Sequence, residues 1–346
     1  MNAKGFFITV LACTLLLLAC AAGFVAWTDP MLTVGKLEEG ETALFMNERY
    51  EMAGLIRNQD YSALVMGTSL VANYRASWFT SGLGEETLKI TFPDGWISEF
   101  DTALDLAMRT HPDVNTVFFC LDPNILVRSD SERRVELPGY LYNDNPFDDV
   151  EFYLSADAVT LSAKTLWERQ WGWATELDDA YVWDGNFDFS RETVLKGYIR
   201  PEPSGTALPE DAYLAAAKEN LDVLCGWMER YPQVQFHIWF PPYSILYWDK
   251  MIRLGTADAI LNAVEYAAQR LIGCENGKAY IFLGLFDTIT DLDNYTDHIH
   301  CSRTVNSWVA WTMMGGYWQL TDENCRSAVE ELRRFVHDYD YEAIFN

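Results

Sequence analysis

A serine near the start of the chain and an aspartate–histidine pair near its end are the residues whose types and spacing could do chemistry. Ser69 lies in the segment VMGTSL (residues 65–70), where an apolar run is followed by a turn that Gly67 makes sterically easy. Asp297 and His300 are three residues apart. A serine hydroxyl becomes an effective nucleophile when a histidine takes its proton and a carboxylate orients that histidine. The sequence therefore indicates a Ser–His–Asp triad, provided that the fold brings the two segments together.

Metal binding is a second kind of chemistry open to the C-terminal segment. His298 and His300 could bind a metal ion with Asp293 or Asp297, although a third and a fourth ligand are not evident. The chain has no Gly-rich phosphate-binding motif and no His-Glu-x-x-His pair. It also lacks the Gly-x-Ser-x-Gly elbow of the α/β-hydrolases, because Val71 stands at the final glycine position.

Short apolar runs alternate with longer amphipathic segments over most of the chain. The predicted strands are residues 61–66, 88–92, 115–121, 234–240 and 279–283. The predicted helices are residues 96–110, 209–230, 253–273, 303–315 and 322–337. This alternation predicts an α/β fold with a parallel sheet covered by helices on both faces. Such sheets bind ligands beyond the carboxyl ends of their strands, and Gly67, Gly95 and Asp122 all follow predicted strands.

A segment from about 125 to 205 interrupts the alternation and reads as an insertion, helical around 155–170. It is rich in acids and in aromatic residues, namely Tyr140, Tyr142, Phe147, Trp167, Trp171, Trp173, Tyr181, Trp183, Phe187 and Phe189. Two interpretations stay open for these rings. They could stack on sugars or form a lid beside the site, or they could pack as the small core of the insertion itself.

Composition excludes some classes of function. The chain has 346 residues, of which 49% are hydrophobic, so it is long and apolar enough to build a sizeable core. Its formal net charge is -26. Because an acidic surface repels phosphate backbones and anionic lipid headgroups, we expect neither nucleic-acid binding nor a charge-driven hold on a membrane.

The N-terminus predicts a membrane segment. An almost unbroken apolar stretch runs from Phe6 to Trp27, with Lys4 before it and acidic residues after it. This length spans a bilayer, and the charge asymmetry places the N-terminus in the cytoplasm and the rest of the chain outside. We interpret the stretch as an uncleaved signal anchor. A lipoprotein signal, with Cys20 in the sequence LLAC, and a cleaved secretory signal are the alternatives.

Cysteine usage does not indicate a disulfide framework. Two cysteines lie in the apolar stretch and five lie beyond it, at positions 120, 225, 274, 301 and 325. Their number is odd and their spacing irregular, and no pair forms Cys-x-x-Cys. Most are expected to be small buried residues. A single disulfide is the alternative for one pair.

Two blocks resemble those of the SGNH/GDSL hydrolase superfamily. The turn at residues 67–70 (GTSL) stands where that family has Gly-Asp-Ser-Leu, and residues 297–300 (DHIH) match its Asp-x-x-His block. The resemblance covers about residues 60–320. It is nearest to the membrane-anchored bacterial branch of cell-wall and exopolysaccharide O-acetylation proteins. It implies a three-layer α/β/α, flavodoxin-like SGNH fold. The implied organisation is an anchor at 1–27, a lead-in at 28–60 and an SGNH-like domain at 61–340.

The match departs from the family pattern at two places, the residue before the serine and the third block. Thr68 stands where the family usually has aspartate. Gly95 is the expected oxyanion-hole glycine of the second block. The segment Leu121–Asn124 stands where the third block reads Gly-x-Asn-Asp, so Asn124 is the expected replacement for the oxyanion asparagine. Losing one oxyanion donor costs on the order of 100- to 1000-fold in rate.

The resemblance implies an extracytoplasmic serine esterase or O-acyltransferase that acts on acyl esters, chiefly acetyl esters, of cell-envelope glycan. Ser69 would be the nucleophile, His300 the base and Asp297 the residue that orients it, with no metal or organic cofactor. The expected partners are the glycan or acyl-ester substrate and a membrane-bound acyltransferase. The departures keep a second class open: a catalytically inactive SGNH-like envelope protein that binds glycan or such an acyltransferase.

Overall fold

The computed structural model describes residues 2–133, 135–145, 147–172 and 174–346, without the side chain of Arg169. The chain forms two compact units. The N-terminal unit comprises Met1–Gln59 and Glu136–Tyr181, and the sheet unit comprises Asp60–Val135 and Val182–Asn346. The lead-in and part of the aromatic segment therefore belong to one unit, whereas Ser69, Asp297 and His300 belong to the other.

Helices and strands alternate through the chain, with short 3₁₀ turns between some of them. The strands are β1 (Thr42–Ala43), β2 (Ala63–Gly67), β3 (Thr87–Thr91), β4 (Thr116–Cys120), β5 (Thr175–Glu176), β6 (Gln235–Phe240) and β7 (Gly277–Ile281). The helices are α1 (Ala3–Thr28), α2 (Glu48–Asn58), α3 (Ser69–Ala72), α4 (Ala76–Leu83), α5 (Ile97–Thr110), α6 (Pro123–Leu126), α7 (Val150–Tyr153), α8 (Ala156–Trp171), α9 (Arg191–Gly197), α10 (Leu214–Arg230), α11 (Ile245–Leu254), α12 (Ala257–Ile272), α13 (Phe286–Thr290), α14 (Arg303–Met314) and α15 (Cys325–Asp338).

A five-stranded parallel sheet with the order β3-β2-β4-β6-β7 is the centre of the sheet unit. Its register places Val65 of β2 beside Lys89 of β3 on one side and Phe118 of β4 on the other. Every residue of β2 is buried, as expected for a central parallel strand whose two faces are both covered. The predicted α/β class with a parallel sheet is confirmed, and the carboxyl ends of β2, β3, β4 and β6 share one edge.

Amphipathic helices complete the core of the sheet unit. Helix α10 contacts α5 and α12, and α12 in turn contacts α15, while α4 contacts β3 and α14. The largest fully buried side chains include Trp227, Trp239 and Trp248. Helix α5 begins where the N–H of Trp96 donates to the Glu99 carboxylate at 2.9 Å, which satisfies one of the free donors of its first turn.

The N-terminal unit contains α1, α2, α7, α8 and a two-stranded antiparallel ladder of β1 and β5. Helix α1 contacts α7 and α8. It begins at an Asn2 side chain that accepts from the N–H of Gly5, and it ends at Asp29 in the left-handed conformation. Within the described residues, α1 is the one helix that is long and apolar enough to cross a membrane, a property it shares with signal sequences.

Candidate active site

The sharp turn that presents Ser69 depends on a glycine. Strand β2 ends at Gly67, Thr68 stands at the N-cap, and Ser69 is the first residue of α3. A Cβ on Gly67 would approach Val71 Cγ2 to 2.5 Å and Cys120 Cβ to 2.8 Å, closer than carbon atoms pack. The absence of a side chain lets the turn lie directly against β4. Ser69 is thereby placed at the carboxyl edge of the sheet, partly exposed.

Ser69, His300 and Asp297 form a continuous chain of hydrogen bonds. The Ser69 Oγ lies 2.9 Å from His300 Nε2, and His300 Nδ1 lies 2.6 Å from Asp297 Oδ2. With the ring proton on Nδ1 facing the carboxylate, Nε2 accepts from the serine hydroxyl. The structure thus brings together the three residues that the sequence singled out from its two ends.

The loop that carries the histidine is fixed at several points. This histidine loop, residues 295–301, is closed by an antiparallel bridge between its first and last residues. The Tyr295 hydroxyl donates to the Pro242 carbonyl at 2.8 Å, and the Ser244 hydroxyl donates to the His298 carbonyl at 2.9 Å. Both carbonyl–hydroxyl contacts join the loop to the segment that follows β6. The edge of the sheet therefore sets the position of the imidazole.

Asp297 is held as a carboxylate. Its Oδ1 accepts the N–H groups of Ile299 and His300 at 2.8 Å each, while Oδ2 faces the imidazole. Partial burial alone would raise the pKa of Asp297, but the hydrogen bond and charge of His300, together with the two N–H groups, lower it from 3.8 to about 2. Asp297 is therefore ionised at mildly acidic and neutral pH.

The predicted oxyanion donors are placed unequally. The N–H of Ser69, in the first turn of α3, has no hydrogen-bond partner among the described residues. The Asn124 side chain donates one N–H to the Tyr243 hydroxyl at 3.1 Å and keeps a second N–H. The N–H of Gly95, in contrast, donates to the Phe92 carbonyl at 2.8 Å inside its own turn. Ser69 and Asn124 can thus offer donors, whereas that of Gly95 is engaged.

A buried aspartate lies beneath the serine turn, and the sequence did not indicate its role. Asp122 Oδ2 accepts the Thr68 hydroxyl at 2.9 Å, and its Oδ1 accepts the N–H groups of Asn124 and Ile125. Burial raises the pKa of Asp122, and the hydrogen bonds it accepts offset part of that rise. Thr68, the residue before the serine, is therefore hydrogen-bonded directly to Asp122 of the replaced third block.

Trp183 contacts the imidazole, which the sequence also did not reveal. Its ring meets the His300 ring nearly edge-on, at 4.9 Å and 88°. The Asn73 Oδ1, at the end of α3, accepts the N–H groups of Trp183 and Asp184 at 3.0 Å each. Asp184 in turn forms an ion pair with Arg303 at 2.8 Å. The signal that could have found this contact was the clustering of aromatic residues before position 190.

The other aromatic residues of the predicted insertion differ in their exposure and contacts. In the N-terminal unit, Trp167 and Trp171 are exposed and lie 5.7 Å apart, whereas Tyr142 is buried. Trp173 lies outside the described residues. Phe187, in the sheet unit, packs edge-on against Trp183 at 5.1 Å. Only part of the aromatic segment therefore bears on the triad.

The metal alternative draws little support from the coordinates. Across the described ranges, no group of three or more histidine, cysteine, aspartate or glutamate residues is arranged to hold a metal ion. The His298 ring lies 6.4 Å from that of Tyr198, and Asp293 Oδ1 accepts the Arg191 N–H. Burial, with a contribution from Lys250, lowers the pKa of His298.

A small cavity adjoins the triad behind the imidazole. It measures about 10 Å³ and is lined by His300, Asn73 and Pro241, among others. Such a volume holds about one water molecule. Because the side chain of Asp297 is 44% exposed and that of His300 is 16% exposed, a larger ligand would reach the triad from the open side.

Comparisons with known proteins assign no family to the chain. No protein-family model and no curated protein matches it. One similar solved structure, from Streptococcus pneumonia, is described as "a putative platelet activating factor". It has a TM-score of 0.40 and 12% sequence identity, over 77% of this chain and 88% of that chain. The site is therefore defined by its own geometry.

Proposed function

We propose that this protein is an extracytoplasmic serine esterase or O-acyltransferase of the SGNH/GDSL type. The observation that carries the proposal is the continuous hydrogen-bonded chain from Ser69 Oγ through His300 to Asp297, at 2.9 and 2.6 Å. These are the distances that a nucleophile and its base require. The three residues come from opposite ends of the sequence, and their alignment on the ligand-binding edge of a parallel sheet is typical of an active site.

The chemistry would proceed through an acyl-enzyme. His300 Nε2 takes the proton of Ser69 as its oxygen attacks the ester carbonyl, and Asp297 stabilises the resulting imidazolium. The tetrahedral oxyanion accepts from the Ser69 N–H and from the free amide N–H of Asn124. His300 then gives its proton to the departing alcohol. Water or a glycan hydroxyl, deprotonated by His300, releases the acyl group and restores Ser69.

The finer fold assignment belongs to the same proposal. A five-stranded parallel sheet, a serine directly after β2 and a histidine loop beyond β7 fit a flavodoxin-like SGNH arrangement. Two separate series of helix contacts, α5–α10–α12–α15 and α4–α14, fit helical layers on the two faces of the sheet.

The substrate class and the location follow from the resemblance and from α1. We assign α1 as an uncleaved anchor, with the bulk of the chain outside the cytoplasm. The proposed substrate is an acyl ester, chiefly acetyl, of cell-envelope glycan, and the proposed partner is a membrane-bound acyltransferase. Ser69 is partly exposed at the edge of the sheet, which suits attack on an ester that a polymer carries.

Activity on 4-nitrophenyl acetate and labelling by a fluorophosphonate test the proposal in the full chain in detergent. Ser69→Ala and His300→Ala should each lower kcat by roughly 10⁴-fold or more, and the double variant should lose little beyond that. Ser69→Ala should also abolish labelling. His298→Ala is the matched control and should be much milder. A chelator should have no effect; inhibition by it would favour the metal alternative.

A catalytically inactive, glycan-binding envelope protein is the second candidate. It is favoured by the engaged N–H of Gly95 and by the replaced third block at Leu121–Asn124. Absence of labelling in a chain that circular dichroism shows to be folded would support this candidate and overturn the first. Equal losses in His298→Ala and His300→Ala would overturn the assignment of the base.

A further inference from the structure

Two cysteines of the sheet unit lie in contact far from the triad. Cys225 is in α10 and Cys274 follows the end of α12, and their sulfur atoms are 3.5 Å apart. They are 49 positions apart in the sequence, and both are free thiols. Cys225 is 5% exposed, while Cys274 is partly exposed. Cys274 is therefore the more accessible residue of a pair whose sulfur atoms are already in van der Waals contact.

The backbone around the pair is held in place. Asn276, two residues after Cys274, donates its side-chain N–H groups to the carbonyls of Met228, Tyr231 and Val234 at 2.9–3.2 Å. Helices α10 and α12 also pack directly against each other. These contacts keep the segment that bears Cys274 beside the helix that bears Cys225, and a bond requires the sulfurs to close from 3.5 Å to about 2 Å.

The electrostatic setting favours loss of a proton from the pair. The hydrogen bond from Cys274, followed by the nearby Arg270 guanidinium, lowers the pKa of the Cys225 thiol despite its burial. Cys274 correspondingly holds its proton more tightly, because that proton is shared with its neighbour. Since the thiolate is the form that reacts, one sulfur of the pair is available for exchange with a disulfide.

We propose that Cys225 and Cys274 are a dithiol oxidation site that is converted to an internal disulfide by a disulfide-bearing oxidant. One protein thiolate attacks a sulfur of the oxidant, breaks its S–S bond and expels a thiolate, forming a mixed disulfide. The second protein thiolate attacks the protein sulfur of that mixed disulfide and expels the other thiolate. The protein gives up two electrons and two protons, and the oxidant is reduced to two thiols.

The cysteine pair and Ser69 lie at opposite ends of the strands of the sheet. Cys274 precedes β7 and lies near the amino ends of the strands, whereas Ser69 follows the carboxyl end of β2. The disulfide would join α10 to the end of α12 and restrict the unfolded chain. Oxidation is therefore expected to raise stability and to leave the triad geometry unchanged. This inference does not depend on the proposed esterase activity.

The test uses the full chain with oxidised glutathione, followed by denaturation and alkylation with iodoacetamide. Expected results are an intact mass lower by two hydrogens, a tryptic link between the Cys225 and Cys274 peptides, and no alkylation of either. The thermal midpoint should rise by about 5–10 °C, because the bond closes a long loop. Wild-type protein suffices for this result, so no variant has to fold.

Matched variants identify the pair. Cys225→Ser and Cys274→Ser should each abolish the link, while Cys325→Ser should leave it intact. Full alkylation of both cysteines after treatment, or a link between other cysteines, would overturn the proposal. An unchanged thermal midpoint in the linked protein would refute the stabilising role.

Discussion

Three contacts restrain the imidazole of His300. Asp297 fixes one ring nitrogen, Ser69 occupies the other, and the ring of Trp183 lies edge-on at 4.9 Å. A histidine restrained in this way keeps a single tautomer and a single orientation. Of these contacts, the one to Asp297 decides which nitrogen carries the proton, so it offers the sharpest test at the scale of single residues.

Asp297→Asn should lower kcat by about 10⁴-fold with little change in KM, because the amide can favour the wrong imidazole tautomer and carries no charge. The folded-state pKa of Asp297 is about 2, so wild-type activity should not fall through titration of this group above about pH 4. Steady-state kinetics from acid to neutral pH check both statements.

A nearby carboxylate serves as the control for Asp297. The Asp293 carboxylate accepts the Arg191 N–H, so Asp293→Asn should keep nearly full activity. The lowered pKa also has a consequence for stability. Asp297 contributes stability above its unfolded-state pKa and loses it as the pH falls through about 2. The thermal midpoints of wild type and Asp297→Asn should therefore converge in strong acid. Equal activity of the two aspartate variants would contradict the assignment.

At the scale of secondary structure, the ends of β2 and β4 are joined by one buried hydrogen bond, from Thr68 to Asp122. Thr68→Val keeps the shape but leaves the carboxylate short of a donor, which costs about 1–3 kcal/mol of folding free energy. Because the serine turn follows directly, kcat should also fall about tenfold, equivalent to roughly 1.4 kcal/mol, with KM unchanged. Chemical denaturation and steady-state kinetics measure the two effects.

Two further substitutions separate this role from a general loss of packing. Thr68→Ser restores the hydroxyl and should recover kcat. Thr116→Val removes a β4 hydroxyl that donates to its neighbour Asn115, so kcat should stay at the wild-type value. If Thr68→Val and Thr116→Val affected kcat equally, Asp122 would have no particular part in placing Ser69.

Periodicity was sufficient to predict the strands of the parallel sheet and the helices α5, α10, α14 and α15 within a few residues. Periodicity did not predict a boundary between two helices that no change in the apolar pattern marks. The predicted helix at 253–273 corresponds to α12, but α11 was not predicted, and it ends before Gly255, which has a φ of 70°. A Cβ at this glycine would collide with the Thr206 carbonyl, a contact made by a distant segment that local pattern cannot reveal.

The same limit applies to the site. Ser69, Asp297 and His300 were found because each lies in a short motif with a chemical meaning. The partners Thr68 and Asp122 are 54 positions apart, and neither segment by itself indicates that the two side chains meet. Contacts of this kind depend on which strands become neighbours in the sheet, and strand order is set by the whole fold.

At the scale of the whole molecule, α1 packs with α7 and α8 in the N-terminal unit. The buried residues of α1 are Val25 and Thr28 at its C-terminal end, whereas most of the helix is exposed. The net charge of -26 gives the remainder of the chain no attraction to anionic lipid. We therefore expect stable membrane association to depend on α1.

We accordingly expect the mature protein to retain residues 1–27 and to stay in the membrane fraction after washing with high salt or alkaline carbonate, and to be released by detergent. Cys20→Ser should behave identically, because anchoring by α1 needs no lipid on that residue. Intact mass spectrometry and fractionation provide the measurement. Release of Cys20→Ser alone would indicate a lipoprotein, and a mature N-terminus beyond the apolar stretch would indicate a cleaved signal; either result would contradict the anchor.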